Sequence, residues 1–373
     1  MSSEYLFEAR FFELPPQRVE KVLKRLTGRL FEDLMGRGLG PAEIVTGMTP
    51  RRLMVCLKGL PEVEPEREEQ HLGPPLTEAY DGSGGPTDAL RGFVGRLGVE
   101  MEALTEIKTE RGAYLGVVRQ VPGRSLAEAL GDLVPTVLEE LDWWRPLRLS
   151  GLSGVVSLLD GEVLPLTVLG TKAGRETTGH PVLSPAPIPV ESFADYTEAL
   201  RRLGLEVVFE TRRQQLEEGL VSRASELGGE LVADAELLAR LTATCEVPGI
   251  VHGAFERDHL SLPEEVLLAA LSGHSNACAV RGESGLLADF LTVMDRADDP
   301  QGKIRRGQER AVAGRLIDAR FRYDRDRRIA LAERRRLLEA LDLHPRLGSY
   351  AAKADRIRAL VALACSQLGW DDV

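Results

Sequence analysis

Residues 303–326 read KIRRGQERAVAGRLIDARFRYDRD. From Gly307 onward, Val312, Leu316, Ala319 and Tyr323 recur at steps of four, three and four, the period of one buried helix face. Charged residues fill the rest of the circumference. Gln308, Arg315 and Arg322 are seven apart and share a second stripe, while Arg306 and Arg310, four apart, are surface neighbours. Residues 303–336 hold thirteen cations against five carboxylates, a local charge of +8 in a chain whose total is −11, which leaves −19 for the remainder. An acidic body with one basic helical arm can hold a polyanion on a single surface, because planar guanidinium forks suit phosphate oxygens. The same run also fits a solvated face on which Arg315, Arg320 and Arg322 pair with Asp318, Asp324 and Asp326. Both readings stand at this point.

Downstream, a Leu- and Arg-rich run leads into LGSYAAKADRIRALVALACSQLG at 347–369. Tyr350, Ala354, Ile357, Val361, Ala364 and Leu368 form a heptad-like seam that calls for burial. Leu331, Leu338 and Leu341 are expected to supply part of its partner. The rest is expected from continuing polypeptide or another subunit.

Upstream, the pattern changes. EYLFEARF reads as a strand. Pro15 and Pro16 open a helix whose apolar face is Val19, Val22, Leu23, Leu26, Leu30 and Leu34, ended by Gly36 or Gly38. EIVTGMTPRRLMVCLKGL reads as two strands around a turn at Thr49–Pro50, PEVEPEREEQ as an acidic linker, and DGSGGP as a loop. Residues 87–142 read as helix, a strand at 113–120, and a helix at 126–141. The Asp160–Gly161 step marks a hairpin between 154 and 170. Helices are expected at 192–203, 211–228, 234–243 and 264–271, with strands at 249–255, 277–280 and 289–294. The fold class is therefore α+β: antiparallel hairpins with packed helices in the body, then an all-helical C-terminal segment. Three regions are expected: an N-terminal α+β domain at 1–150, a central α+β domain at 151–300, and a basic helical segment at 301–373.

Composition narrows the class. With 373 residues, 43% hydrophobic and 28% charged, the chain can bury several cores. The N-terminus lacks the pattern of a signal peptide, and no apolar run approaches the roughly 20 residues that span a bilayer. Cys56, Cys245, Cys278 and Cys365 are scattered without a CxxC pair, so buried thiols in a reducing cytoplasm are expected rather than disulfides or structural zinc. No Walker-type loop, metal-ligand cluster or nucleophile elbow is present.

Several landmarks, in order, are similar to the β subunit of the bacterial heterotetrameric glycyl-tRNA synthetase. They are Glu8 with Glu13-Leu14-Pro15-Pro16; Pro50-Arg51-Arg52-Leu53; Gly73-Pro74; the hairpin Leu158–Gly170; Gly179-His180; and Leu262–Leu267. Gly307-Gln308-Glu309, Arg315–Phe321, and Leu347-Gly348-Ser349-Tyr350 with Lys353, Arg356 and Ile357 complete the series. The sequence departs from the family pattern at Arg10-Phe11-Phe12, at 145–154, at Pro181, at His274–Val280 and at Ala313. The resemblance covers roughly the front half of a family β subunit; helical HD-like and anticodon-binding domains are what it implies beyond residue 370.

The resemblance implies a non-catalytic ligase subunit that contacts tRNAGly and assembles with an α subunit as α2β2. It also implies that ATP, with Mg, is used by the α subunit and that this chain itself binds no cofactor. The alternative is a diverged stand-alone RNA-binding or regulatory module without aminoacylation. An editing hydrolase is disfavoured, because no nucleophile–base arrangement is visible. The candidate RNA-binding residues are Arg51, Arg52, Arg305, Arg306, Arg310, Arg315 and Arg322; no catalytic or metal-binding residue is expected. Arg51 and Arg52 are adjacent on an expected strand, so they should point to opposite faces, with at most one toward RNA. His180 reads either as a phosphate or loop-orienting group or as a satisfied polar residue. Asp258–His259 and His274 lack the further ligands of a metal site. Trp143–Trp144 reads as a base-stacking pair or as one buried and one interface ring.

Overall fold

The computed structural model describes residues 3–81, 84–109, 112–140, 152–273 and 275–370. Trp143, Trp144 and His274 lie outside the described residues. The chain forms two compact units. One comprises Met1–Leu216, Ala239–Gly249 and Asp295–Ala297; the other comprises Glu217–Leu238, Ile250–Met294 and Asp298–Val373.

The first unit begins with β1 (Ser3–Phe11), α1 (Pro16–Gly36), β2 (Glu43–Thr49) and β3 (Arg52–Leu60). It continues with β4 (Arg67–Pro75), α2 (Asp88–Leu97), β5 (Thr105–Thr109), β6 (Gly112–Val121) and α3 (Leu126–Glu140). Then come β7 (Leu152–Leu159) and β8 (Glu162–Val163), followed by the short pair β9 (Glu176–Thr178) and β10 (Pro187–Pro189), and α4 (Phe193–Arg202). The main sheet is antiparallel in the order β2-β3-β1-β7-β8.

This sheet is buried on both faces, and the period-2 alternation of its strands sorts the side chains. Tyr5, Phe7 and Ala9 of β1 join Leu53, Val55 and Leu57 of β3 under α1 and α3. The six predicted apolar residues of α1 are all buried in that layer. Leu6, Met54, Cys56, Val156 and Leu158 face the other way, against Tyr196 and Leu200 of α4. Glu8 lies on this second side too, with Arg10 and Arg52. The β7–β8 turn places Asp160 at φ 50° and Gly161 at φ 83°, the two left-handed residues that an Asp-Gly hairpin turn needs.

A smaller sheet, in the order β4-β6-β5, carries α2, with Ala79, Leu90 and Leu115 buried beneath. Here the expected acidic linker is partly a strand: Arg67, Glu68, Glu69 and Gln70 pair with Val121, Gln120, Arg119 and Val118. The ladder is made by backbone atoms, and β4 is an edge strand whose charged side chains stay in solvent, so composition concealed it. Residues 105–109, read within a helical stretch, form β5 instead.

The second unit holds a sheet of β11 (Glu230–Val232), β12 (Pro248–Ala254), β13 (Cys278–Gly282) and β14 (Gly285–Asp295), in the order β11-β13-β14-β12. The expected helices at 211–228 and 234–243 are α5 (Phe209–Glu226) and α6 (Ala235–Ala243). The basic arm is α7 (Lys303–Arg327), a 25-residue helix. Val312 and Leu316 are buried with Phe255, Leu267 and Phe290, while Ala319 and Tyr323 pack partly against the same core, as the periodicity requires.

The C-terminal segment is helical apart from a two-strand ribbon at Asp342–His344 and Gly348–Ser349. It ends in α8 (Tyr350–Leu368), whose N-cap Ser349 accepts the Ala352 N–H. The seam of α8 is not covered among the described residues: Tyr350, Ile357, Val361 and Leu368 are exposed, as are Leu331 and Leu341. Only Ala351 is buried, so the helix rests on its first turn rather than on its seam.

Candidate nucleic-acid interface and a buried ionic network

Helix α7 is anchored at several points. At its N-terminus Asp299 accepts the N–H groups of Lys303 (3.0 Å) and Arg305 (2.9 Å), satisfying donors that a helix start leaves open. Glu309 accepts the Ala254 N–H at 3.3 Å, and Arg320 donates to the Asp258 carbonyl (2.6 Å) and to Ser261 (2.8 Å). These bonds fix the rotation of the helix and hence which arginines face outward.

The candidate residues Arg305, Arg306, Arg310, Arg315 and Arg322 are all exposed. Of the pairings in the solvated-face reading, one is present: Arg322 meets Asp318 at 3.1 Å. Arg320 is turned to the Asp258 turn instead. Arg305, Arg306, Arg310 and Arg315 form no ion pair among the described residues, so their guanidinium groups remain open to an outside anion. They lie along one helix at known rotation, which a loop would not guarantee.

Arg51 and Arg52 are placed quite differently. They do not point to opposite faces: both meet the same carboxylate, Glu246, at 3.4 Å from Arg51 and 3.0 Å from Arg52. The reason is that β3 begins at Arg52, so Arg51 belongs to the turn and escapes the alternation of the pleat. Arg52 is 2% exposed and donates to Glu8 (3.0 Å), Glu246, and the carbonyls of Thr178 (3.0 Å) and Gly179 (3.2 Å). Arg51 adds Asp295 at 2.7 Å and Glu13 at 3.1 Å. Burial alone would depress the Arg52 guanidinium, but the Glu246 and Glu8 carboxylates outweigh it and raise it above its usual value.

The same network satisfies every carboxylate it buries. Glu8 accepts from Tyr196 (2.8 Å) and Thr177 (2.8 and 3.0 Å), and Arg10 approaches it at 3.3 Å. Burial first, and then the Glu8 charge, push the Tyr196 hydroxyl well above its usual value, so it stays a donor. Glu246 also accepts from Thr49 at 2.5 Å. Asp295 accepts the N–H groups of Glu246 (2.6 Å) and Val247 (3.0 Å). A residue larger than glycine at 154 would collide with the Arg10 guanidinium. Such a set of buried charges specifies how strands, turns and loops dock; within it Arg10 Nε is buried without a hydrogen-bond partner, 3.3 Å from Glu8.

His180 belongs to this network as a satisfied polar residue. Its Nδ1 accepts from the Val182 and Leu183 N–H groups, both at 3.2 Å, which leaves Nε2 to donate to Asp295 at 3.2 Å. His259 is buried next to Asp258 in a short 3-10 turn. Among the described residues, no group of three His, Cys, Asp or Glu side chains is placed to hold a metal ion, and no helix is long and apolar enough to cross a membrane.

Glu246 and Asp295 were not singled out by sequence, because each acts only through contacts far along the chain. Glu8 did carry a local signal: a carboxylate between Phe7 and Ala9 in an apolar strand demands a buried cation.

Comparison with known proteins agrees along the whole chain. A family model described as glycyl-tRNA synthetase beta subunit matches residues 5–372. A glycine--tRNA ligase beta subunit from Trichlorobacter lovleyi is 33% identical over 377 residues, covering 99% of this chain and 55% of that protein. Proteins of the same name from Geobacter metallireducens (31% over 366 residues; 96% of this chain, 53% of theirs) and Chromohalobacter salexigens (31% over 380; 99% and 55%) are similar at the same level. The chain spans about half the length of the curated relatives it matches.

Proposed function

The chain belongs to the glycyl-tRNA synthetase beta subunit family, and from that premise we propose that it serves a glycine–tRNA ligase as a non-catalytic, tRNA-holding part. In this reading it assembles in the cytoplasm with an α subunit, as α2β2, and the α subunit activates glycine with ATP and Mg and passes it to tRNAGly. The observation that carries the reading is four exposed arginines on α7, Arg305, Arg306, Arg310 and Arg315, which form no ion pair among the described residues, on a chain that is otherwise strongly acidic. Exposed guanidinium groups carried on a rigid helix suit the phosphates of an RNA strand.

Arg51 and Arg52 support this role indirectly. Their charges are spent inside the first unit, so RNA contact is assigned to the helix. The test is to combine the chain with a glycyl-tRNA synthetase α subunit and measure complex formation and charging of tRNAGly. A parallel titration of tRNA binding against salt reads the phosphate contacts, since each one steepens the loss of affinity. A complex and a steep salt slope support the reading. Absence of a complex together with a flat slope refutes it. RNA binding with no complex favours a stand-alone RNA-binding module.

A further inference from the structure

Beyond its arginines, α7 exposes two apolar side chains that the buried core does not use. Ile317 is 62% exposed and Phe321 is 63% exposed. They are four residues apart and therefore adjacent on the helix surface. The outward stripe they occupy runs Arg306, Arg310, Ile317, Phe321, Arg328, in steps of four, seven, four and seven. Such steps keep to one side of a helix with 3.6 residues per turn. The buried pair Val312 and Leu316 lies on the opposite side. Gly314 lies close to the same stripe, and an added Cβ there would meet nothing within 4 Å. The Arg325 guanidinium stands 6.0 Å from the Phe321 ring centroid.

An exposed phenylalanine has to be weighed against the ordinary scatter of apolar residues on a protein surface, which needs no explanation. Two features set this one apart. It is flanked along the helix by cations at both ends of its stripe, and one cation already lies against its ring. A purely apolar partner would have to desolvate those guanidinium groups without compensation. A ligand with both a π-face and a negative backbone satisfies both features at once. The stripe is also distinct from the Arg315–Arg322 flank, where Asp318 already engages Arg322.

We propose that Phe321 is a stacking platform for an unpaired RNA base, with Arg306 and Arg310 holding the phosphates beside it. This rests on the RNA-binding reading given above and refines it: the strand held on this face of α7 is single-stranded at Phe321. Duplex RNA keeps its bases stacked on one another, so the ring offers it nothing, whereas a strand with a free base gains a stacking partner.

The experiment measures the full chain against two labelled probes, a single-stranded oligouridine and an RNA duplex of equal length, at several salt concentrations. Phe321→Ala is expected to weaken the single-stranded probe roughly tenfold while leaving the duplex nearly unchanged. Phe321→Trp should restore single-strand binding. Arg306→Ala with Arg310→Ala should weaken both probes and flatten the salt slope. Phe321 is mostly exposed, so an unchanged denaturation midpoint shows that the variant remains folded. Equal loss on both probes, or no loss on either, overturns the stacking platform while leaving RNA binding intact. Failure of the unaltered chain to bind either probe refutes the RNA-binding reading itself. Retained RNA binding with lost association to an α subunit assigns the ring to a protein contact and overturns the proposal.

Discussion

Arg52 and Glu246 are 194 positions apart in sequence, yet they share a 3.0 Å charge-assisted hydrogen bond with both side chains sealed from solvent. A buried pair of this kind adds little net stability over a well-packed apolar pair, but breaking it leaves an uncompensated charge.

Glu246→Ala is therefore expected to cost about 3–5 kcal/mol, because Arg52 keeps its charge and loses its main acceptor. Arg52→Met should cost a similar amount. The double variant should cost well below the sum, since each change removes the penalty created by the other. Denaturant midpoints of the four proteins give the coupling directly; strict additivity would contradict the network.

Asp295 sets an acid limit on the same region. Burial works to raise its carboxyl, but the Val247 N–H, the Arg51 guanidinium and the Glu246 N–H together bring it below the ordinary value. A carboxyl depressed in the folded state contributes stability that is complete above the unfolded value, about pH 4, and fades as pH falls through the folded one. Asp295→Asn should lose about 1–3 kcal/mol at neutral pH through its weakened acceptors. Its stability should also fall less steeply between pH 5 and 3 than that of the unaltered chain. Parallel curves for the two proteins over that range would rule out the linkage.

How much of this was legible depends on the range of the interactions. The faces of α1 and α7 follow from side-chain spacing within one helix, so Val19 through Leu34, and Val312 with Leu316, were readable directly. The exposed arginines of α7 follow from the same spacing. The edge strand at Arg67–Pro75 was hidden because its ladder uses backbone atoms that composition does not report. The convergence of Arg51 and Arg52 on Glu246 was hidden for a different reason. It depends on where a strand begins, to within one residue, and on a partner almost two hundred positions away. The bare seam of α8 shows the limit of pattern reading: periodicity identifies an apolar face but not what covers it.

A local feature that sequence does encode is the start of α3. Ser125 and Glu128 form a reciprocal capping box: Ser125 Oγ accepts the Glu128 N–H at 3.3 Å, and Glu128 accepts the Ser125 N–H at 3.0 Å. Ser125→Ala should cost about 1 kcal/mol, the usual worth of such a cap, and Ser125→Asp should recover most of it. Both are read from denaturant midpoints. An alanine variant as stable as the original would mean that packing of Leu126, Leu130 and Leu133 alone sets the helix start.

The thiols offer a test that needs no variant. Cys56, Cys245 and Cys278 are buried, and desolvation raises each to about 12. At pH 8 the thiolate fraction of such a group is about one in ten thousand, so it is doubly protected, by access and by ionisation. Cys365, on α8, is only partly buried. Titration of the native protein with a thiol-specific chromogenic reagent should therefore show one fast equivalent, with three more appearing only in denaturant. Mass spectrometry should place the fast label on Cys365. A fast label on Cys56 would mean that the double-sided core of the main sheet opens to solvent more readily than its packing implies.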